Sequence, residues 1–515
     1  MQTVNSLKQR KGPKLTSSNI LIICVIAVLY CPFFNMKLIG DGYVGDTMIQ
    51  TRIGLDMIKS RGLIVDEIYS WHEGLNWVPH EEAWYFLDGI AYSLGGIAGL
   101  IILTAIFNYT MAAIIFKENL KTANPYMVIL AAAIARCYSF PNYNARPHLA
   151  SQLIFVVFVF TMMNDKVSTI KKCGLYVICA FLMGWFHGGL LPLFLAVYLV
   201  FIVIGFAYKE YKDSLKHLAG AAMGFAASLL NPAGIAGWTF GFKQTGGEDI
   251  WQYNQEWLPK TFSILEITGL LLLFVAFAVD ERVRKFDKKT ITKLCFFCMF
   301  IIISCKYCRF MNFTAILIAM FGAEEISILL VWLNKNITKF DLNKLKLSDI
   351  SNYIISVFCL GFMLFTTVFS WVTFFPTNTF TDISGLAAYD EKVIDILKQK
   401  DYKKIYNSFN SGTWLAFYGI PVHIDNRIDP YMREYSGVDH IRGKMLINDM
   451  REMNSFVDEY HPDALVLDLR PGTTDIYFID DLNASGRYNI IYDNIVTSTY
   501  DQEQSYRWLI VEVVN

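Results

Sequence analysis

Eleven apolar runs in the first 375 residues constrain this chain more than any other feature of its sequence. A helix needs about 20 apolar residues to cross a bilayer core of about 30 Å. The runs cover residues 20–39, 95–116, 124–140, 148–163, 173–187, 189–207, 217–232, 263–279, 291–304, 309–333 and 350–374. The chain has 54% hydrophobic and 18% charged residues. This composition excludes a single soluble domain and predicts a polytopic membrane protein. The net charge of −1 provides no basic field for nucleic acid, so none is expected as a partner.

Clusters of Lys and Arg between the runs predict the topology. They lie at residues 8–14, 117–121, 166–172, 209–216, 282–289 and 335–346. The positive-inside rule assigns such clusters to the cytoplasm, so the chain must cross the membrane an even number of times between neighbouring clusters. Each interval holds two runs, and the last run follows the last cluster. We therefore expect a multi-pass protein of the cell membrane, with a cytoplasmic N-terminus and an extracytoplasmic C-terminal part.

This topology divides the chain into three parts. They are a basic cytoplasmic tail (1–19), a transmembrane domain (20–375) with a long first outer loop (40–94), and an extracytoplasmic domain (376–515). In the last part, β-rich runs at 404–406, 422–424, 464–467, 488–492 and 508–514 alternate with helical patterns at 387–399 and 443–459, which predicts a small α/β domain. The apolar stretch 173–208 is too long for one span, so a break is predicted at His187-Gly188-Gly189.

The first outer loop has helical patterns of its own. Residues 47–60 carry apolar side chains at near-helical spacing, with Asp46 in the capping position and Arg61-Gly62 at the end. A second pattern covers residues 79–93, with Pro79 in its first turn and Gly95-Gly96 after it. Both patterns are typical of helices that lie in the membrane interface.

Several motifs of the chain occur together in one known group of proteins. The first outer loop contains residues 46–54 (DTMIQTRIG), Gly62, Asp66, residues 70–74 and residues 77–81 (WVPHE). Later motifs are Arg146-Pro147-His148, His187-Gly188-Gly189, Asn231-Pro232, Glu256-Trp257, Arg309, residues 412–415 (GTWL) and residues 424–427 (IDNR). Together they resemble bacterial membrane proteins assigned to the GT-C glycosyltransferases, over most of the chain. This chain has Met48-Ile49 where that group usually has tryptophans, Gln50 for a His, and Glu82-Ala83 for Trp-Leu.

The resemblance implies a GT-C-like helical membrane fold of about 11 spans with interfacial helices in the first outer loop. It also implies an inverting glycosyltransferase that moves a hexose or pentose from a polyprenyl-phosphate donor. The acceptor would be an extracytoplasmic glycan, lipid or protein, with an Asp of the first loop in the active site and membrane lipids as further partners. The chemistry of such a transfer also requires particular groups in the active site. A hydroxyl acceptor needs a carboxylate base, and a departing phosphate needs fixed cations.

Acidic residues and a histidine of the outer loops are the candidates for catalysis and acceptor binding. Asp46 and Asp41 are the candidate catalytic carboxylates, and a helix cap and a loop turn are the alternatives. His80, Glu81 and Glu256 are candidates for an acceptor or metal shell. The sequence requires no cofactor, although a divalent cation such as Mg²⁺ or Mn²⁺ is a candidate.

Basic residues where apolar helices meet the outer surface are the candidates for binding the lipid phosphate. Charge at membrane depth is costly without a partner or water, and a guanidinium binds phosphate in a bidentate manner. Arg146 and Arg309 are the main candidates, with His148 and Lys306 beside them in sequence, and contact with lipid headgroups is the alternative. His187 is a further candidate, with packing in a turn as its alternative.

The closely spaced Asp425, Arg427 and Asp429 form either a structural salt-bridge cluster or a lid over the acceptor.

Two other functions also fit the chain. A transporter or flippase of a lipid-linked glycan would need polar residues at mid-membrane depth and inverted repeats. An outer-face glycan polymerase or ligase would share the donor and the topology.

The parity of the basic clusters predicts that Asn76 and Lys288 lie on opposite faces of the membrane. Single cysteines introduced at these positions, in a variant without reactive native thiols, should differ in labelling by an impermeant maleimide in intact cells. We expect labelling near Asn76 alone. Labelling of both positions, or of neither until the cells are lysed, would contradict the topology.

Overall fold

A computed structural model of the chain describes residues 16–30, 45–138, 144–246, 257–337, 347–374, 388–441, 444–447, 449–471, 473–497 and 505–514. A helix overlaps each of the eleven apolar runs. These helices are Ser17–Leu29, Glu82–Asn119, Pro125–Cys137, His148–Met162, Thr169–Phe186, Leu191–Ala207, Tyr211–Ser228, Ile264–Val279, Lys288–Lys306, Met311–Asn336 and Asp349–Phe374. Helices Ile235–Gly246 and Glu281–Arg284 lie between them in sequence. The chain is thus mostly helical, as its hydropathy predicts.

Four of the described helical segments are long and apolar enough to cross a membrane. They are Glu82–Asn119, Thr169–Phe186, Gly188–Ala207 and Cys308–Asn336. Further apolar helices are shorter, at 10–17 residues. The chain is therefore a multi-pass membrane protein, while the count of eleven spans stays a prediction.

The predicted break in the stretch 173–208 is confirmed. Helix Thr169–Phe186 ends at His187, a 3-10 turn covers Gly188–Leu190, and the next helix begins at Leu191. Pro192 lies in the first turn of that next helix, where its missing N–H costs no hydrogen bond. Two helices of about membrane length replace one that would be too long.

The first outer loop contains both predicted helices, with corrected bounds. The first-loop helix is Asp46–Ser60, and Arg61 ends it in the left-handed conformation at φ 55°. The second helix begins at Glu82 rather than at Pro79, and it ends at the glycine pair, as predicted. Gly95 and Gly96 have non-helical backbone angles, and a φ of 57° at Gly96 permits a sharp change of direction, after which a further helix runs to Asn119.

The C-terminal part is an α/β domain, as expected. Its sheet has the order β1-β2-β4-β3, with β1 parallel to β2 and the other pairs antiparallel. The strands are Ile405–Asn407 (β1), Ala464–Leu469 (β2), Tyr488–Thr497 (β3) and Ser505–Val513 (β4). The helices are Glu391–Lys400, Phe409–Phe417, Arg433–Ser436, Met450–Tyr460 and Thr473–Ala484. Leu465, Leu509 and Val511 of the sheet pack with Met453 and Phe456 in its core.

The predicted strand at residues 422–424 is wrong. Val422 forms only a single parallel bridge, and its partner is Ser70 of the first outer loop. The N–H of Val422 donates to the carbonyl of Tyr69 at 3.0 Å, and the N–H of Trp71 donates to the carbonyl of Val422 at 3.2 Å. This apolar segment therefore contacts the first outer loop and is not a strand of the sheet.

The chain divides into two compact units. The helical unit comprises residues 1–34, 105–142 and 148–369, and the loop–tail unit comprises residues 35–104, 143–147 and 370–515. Within the loop–tail unit, the indole N–H of Trp71 donates to the carbonyl of Ile405 at 2.8 Å. The first outer loop thus shares a compact unit with the C-terminal domain.

A close helix crossing inside the loop–tail unit generates a stability prediction. A Cβ atom at Gly54 would collide with the backbone of Tyr85 and Gly89, and a Cβ at Gly89 would collide with the backbone of Gly54. We expect Gly54→Ala to destabilise the protein by about 1–3 kcal/mol, because the backbones must separate. Thermal unfolding in detergent measures the effect. Gly62→Ala is the matched control, since a Cβ at Gly62 meets no atom within 4 Å. Equal melting temperatures for both variants would contradict the crossing.

Candidate active site

Asp46 lies at the start of the first-loop helix. The cap residue is Gly45, so the expectation that Asp46 itself caps the helix is wrong. Asp46 is instead the first helical residue, and its carboxylate pairs with a guanidinium from a distant part of the chain. The positive end of the helix dipole further stabilises a carboxylate in this turn.

The partner of Asp46 is Arg146. Its Nη2 lies 2.7 Å from Oδ2 of Asp46, and the two side chains are 21% and 35% exposed. The hydroxyl of Thr47 donates to the carbonyl of Ala145 at 3.0 Å, in a buried contact that fixes the segment beside the helix start. The structure therefore brings together two candidates that are 100 residues apart, and leaves the pair partly accessible.

Glu81 is connected to the helix that carries Asp46 through a residue that the sequence analysis did not select. Gln50 follows Asp46 by four residues, which places both on one face of the helix. The amide of Gln50 donates to Oε2 of Glu81 at 3.1 Å. Nδ1 of His80 donates to the carbonyl of Val78 at 2.6 Å, and its Nε2 lies 3.6 Å from Oε1 of Glu81. Four-residue spacing was the signal that could have identified Gln50.

The helical unit holds a second group of candidates. Arg309 lies in a short 3-10 turn, Cys308–Phe310, between two long helices. Its guanidinium stands 4.4 Å from the ring centre of Trp257, and Lys306 stands 5.1 Å from the ring centre of Tyr307. The rings of Trp257 and Tyr307 meet edge to face at 5.6 Å. Two cations are thus presented on an aromatic support, which suits a phosphate beside an apolar chain.

His148 and His187 also belong to the helical unit. His148 is the first residue of helix His148–Met162. Nδ1 of His187 lies 2.8 Å from the hydroxyl of Ser151, and both side chains are buried. If the serine donates, Nε2 of His187 carries the ring proton and can donate in turn. Ser151 is a second residue that the sequence analysis missed, and its spacing of three from His148 was the available signal.

Two of the predicted site residues lie outside the described residues. They are Asp41, the second candidate carboxylate, and Glu256 of the loop before Trp257. The roles assigned to them stay predictions.

Comparison with known proteins identifies the fold. No family model matches the chain, and no curated protein sequence matches it. Among solved structures, the oligosaccharyltransferase of Archaeoglobus fulgidus in its apo form matches with a TM-score of 0.55 at 12% identity, over 93% of this chain and 73% of the other. The chain has a GT-C-type fold.

Two further structures of that archaeal enzyme agree with this assignment. One, tethered to an acceptor peptide containing the NVT sequon, matches with a TM-score of 0.51 at 13% identity, over 92% of this chain and 72% of the other. Another, the enzyme AglB with an inhibitory peptide and a dolichol-phosphate, matches with a TM-score of 0.51 at 11% identity, over 94% and 74%. The predicted GT-C-like fold is thereby confirmed.

The divalent cation that is a candidate cofactor would need several oxygen ligands, such as carboxylates. Among the described residues, no group of three or more His, Cys, Asp or Glu side chains could hold a metal ion. The carboxylate of Asp46 is occupied by the guanidinium of Arg146, and a cation in its place would repel that group. The part of the chain that the structure describes therefore shows no metal site.

Three histidines meet where the first outer loop of this GT-C fold contacts the C-terminal domain. Nε2 of His72 lies 2.8 Å from Nδ1 of His423, and the ring of His72 stacks on His440 at 4.0 Å. His440 also contacts the hydroxyl of Tyr460 at 3.0 Å. Burial, and then the neighbouring His440 and Lys444, lower the pKa of His72 to about 3. Burial also lowers the pKa of His423 and His440, so the cluster is neutral at pH 7.

This cluster predicts acid-dependent stability. Since the pKa of folded His72 is about 3, below its ordinary value of 6.5, the unfolded chain binds more protons between these limits. The stability that a neutral His72 contributes is complete above about pH 6.5 and is lost as the pH falls towards 3. We expect the melting temperature to fall from pH 7 to pH 5 more steeply in the wild type than in His72→Gln. Fluorescence of Trp71, whose ring lies 3.9 Å from that of His72, follows the unfolding.

The matched control for this measurement is His461→Asn. His461 has a φ of 48°, a conformation that asparagine tolerates, and it lies outside the cluster. The control should keep the pH dependence of the wild type. If His72→Gln keeps it as well, the cluster does not link protonation to unfolding.

Proposed function

We propose that this chain is a membrane glycosyltransferase that moves a sugar from a polyprenyl-phosphate-linked donor to an extracytoplasmic acceptor. The observation that carries the proposal is the ion pair of Asp46 and Arg146 at the start of the first-loop helix, in a chain with a GT-C-type fold. The solved complex of AglB with a dolichol-phosphate supports a donor of this class.

Asp46 is the proposed general base. In an inverting transfer, the acceptor hydroxyl attacks the anomeric carbon while the bond from that carbon to the phosphate oxygen breaks. Asp46 takes the hydroxyl proton, and the polyprenyl phosphate leaves with the bonding electrons. Arg146 orients the carboxylate of Asp46 and stabilises negative charge near it.

Lys306 and Arg309 are the proposed ligands of the donor phosphate. Both are cations at the junction of two helices, with Trp257 and Tyr307 as aromatic supports. The departing phosphate gains negative charge in the transition state, which fixed cations stabilise. His148 and His187 are proposed as further donors to the phosphate, with His187 oriented by Ser151.

His80 and Glu81 are proposed to bind the acceptor, since Gln50 connects Glu81 to the helix face that carries Asp46. The acceptor peptide with an NVT sequon in the archaeal structure supports a test of peptides beside glycans and lipids. A cell-membrane location with the C-terminal domain outside is part of the same proposal, because the polyprenyl donor is held at the outer surface.

We expect Asp46→Asn to lower turnover by about 10²–10⁴-fold, because it removes the general base and keeps the shape of the side chain. The purified protein is reconstituted in liposomes with a panel of polyprenyl-phosphate sugars and acceptors, and the release of free polyprenyl phosphate is measured. Asp56→Asn is the matched control, since Asp56 lies in the same helix and pairs with Arg52 at 2.8 Å. This control should keep turnover within a few-fold of the wild type.

Two outcomes would overturn the proposal. One is an active wild type with equal turnover in Asp46→Asn, and the other is a folded wild type that consumes no donor of the whole panel. Parallel reactions with EDTA, and with added Mg²⁺ or Mn²⁺, decide whether a divalent cation takes part. Loss of activity in EDTA with recovery by metal would assign a cofactor to the site.

A further inference from the structure

Arg427 of the C-terminal domain is enclosed by partners from both parts of the loop–tail unit. Its Nη2 lies 3.0 Å from Oε1 of Glu67, and its Nη1 bonds the other oxygen of the same carboxylate. Its Nε donates to Oδ1 of Asp425 at 2.9 Å. The side chains of Arg427, Glu67 and Asp425 are 6%, 3% and 0% exposed. The guanidinium therefore joins a loop carboxylate to a domain carboxylate in a buried site.

Aromatic rings of the first outer loop complete this enclosure. The guanidinium of Arg427 stands 5.1 Å from the ring centre of Tyr69 and 5.4 Å from that of Trp77. A lysine in this place would supply the charge, but it would lack the planar fork that reaches both carboxylates at once. The geometry thus depends on arginine itself.

Asn426, the neighbour of Arg427 in sequence, lies against the start of the first-loop helix. A Cβ atom built on Gly45 would be 3.1 Å from Nδ2 of Asn426. The backbone N–H of Asn426 donates to the hydroxyl of Thr413 at 3.2 Å, which fixes it to the C-terminal domain. Gly45 is the cap of the helix, and Asp46 follows it directly.

We propose that Arg427 is a positioning residue for Asp46, acting through Asn426. Its bonds to Glu67 and Asp425 hold the segment of Asn426 against Gly45, and this contact fixes the first turn of the helix that carries Asp46. The inference rests on the proposed function of Asp46. It gives the C-terminal domain a role in the geometry of the active site, instead of that of a separate module.

The proposal is tested on the full chain by hydrogen exchange and by kinetics. Exchange of the backbone amides of residues 46–53 is measured for the wild type, Arg427→Lys and Asn426→Ala, together with kcat and the KM for the donor. We expect exchange in this helix to rise at least about tenfold in both variants. We also expect kcat to fall by about 100-fold, with little change in the donor KM, because a displacement of about 1 Å suffices for such a loss.

Arg507→Lys is the matched control. Arg507 also binds an aspartate, Asp493, through Nε at 2.8 Å and Nη2 at 2.7 Å, but on the sheet of the C-terminal domain. It should keep the wild-type exchange and kcat. If Arg427→Lys does not fold, Asn426→Ala decides alone, since it leaves the ion pairs of Arg427 in place.

The outcomes separate this inference from the proposed function. Unchanged exchange of residues 46–53 in Asn426→Ala overturns the positioning role, even if Asp46→Asn is inactive. Raised exchange with a wild-type kcat overturns it as well. If Asp46→Asn keeps full activity while exchange rises in both variants, the structural link stands and the role assigned to Asp46 is wrong.

Discussion

The ion pairs of Arg427 are the interaction on which the loop–tail unit depends. A guanidinium that is 6% exposed would be costly to bury alone, and here carboxylates of Glu67 and Asp425 compensate it. Removing one member of such a buried cluster costs about 3–5 kcal/mol, because the others stay buried without compensation. The same residues fix the direction in which the first outer loop passes the C-terminal domain. Since Asn426 is adjacent, the geometry of the first-loop helix follows from this cluster.

The sequence predicted the elements of this fold better than their contacts. Hydropathy gave a helix at each apolar run, and length alone required the break at His187, because one helix cannot exceed the bilayer by so much. The pairing of Asp46 with Arg146 could not be derived, since no local pattern relates residues 100 positions apart. Both residues belong to motifs of the same family, but only the three-dimensional structure shows that they form an ion pair.

Local patterns were misleading where a tertiary contact decided the structure. Residues 422–424 have the composition of a strand, yet Val422 bonds to Tyr69 and Trp71 of the first outer loop rather than to the sheet. Aspartate is a residue type that is common at helix caps, yet Arg146 binds the carboxylate of Asp46 and Gly45 takes the cap position. In both cases the side chain or backbone bonds to a partner that lies far away in sequence. Secondary-structure propensity depends on the local sequence and does not include such contacts.

The substitution of Gln50 for the histidine usual in the resembling proteins has a physical reading in this structure. The position lies one helical turn after Asp46 and supplies one donor, at 3.1 Å, to Glu81. Either side chain can supply that donor, but an amide does so without titrating. The bond from Gln50 therefore keeps the same donor at every pH, and Nε2 of His80 lies 3.6 Å from the other oxygen of Glu81. The residue that connects Glu81 to the helix face of Asp46 thus stays neutral.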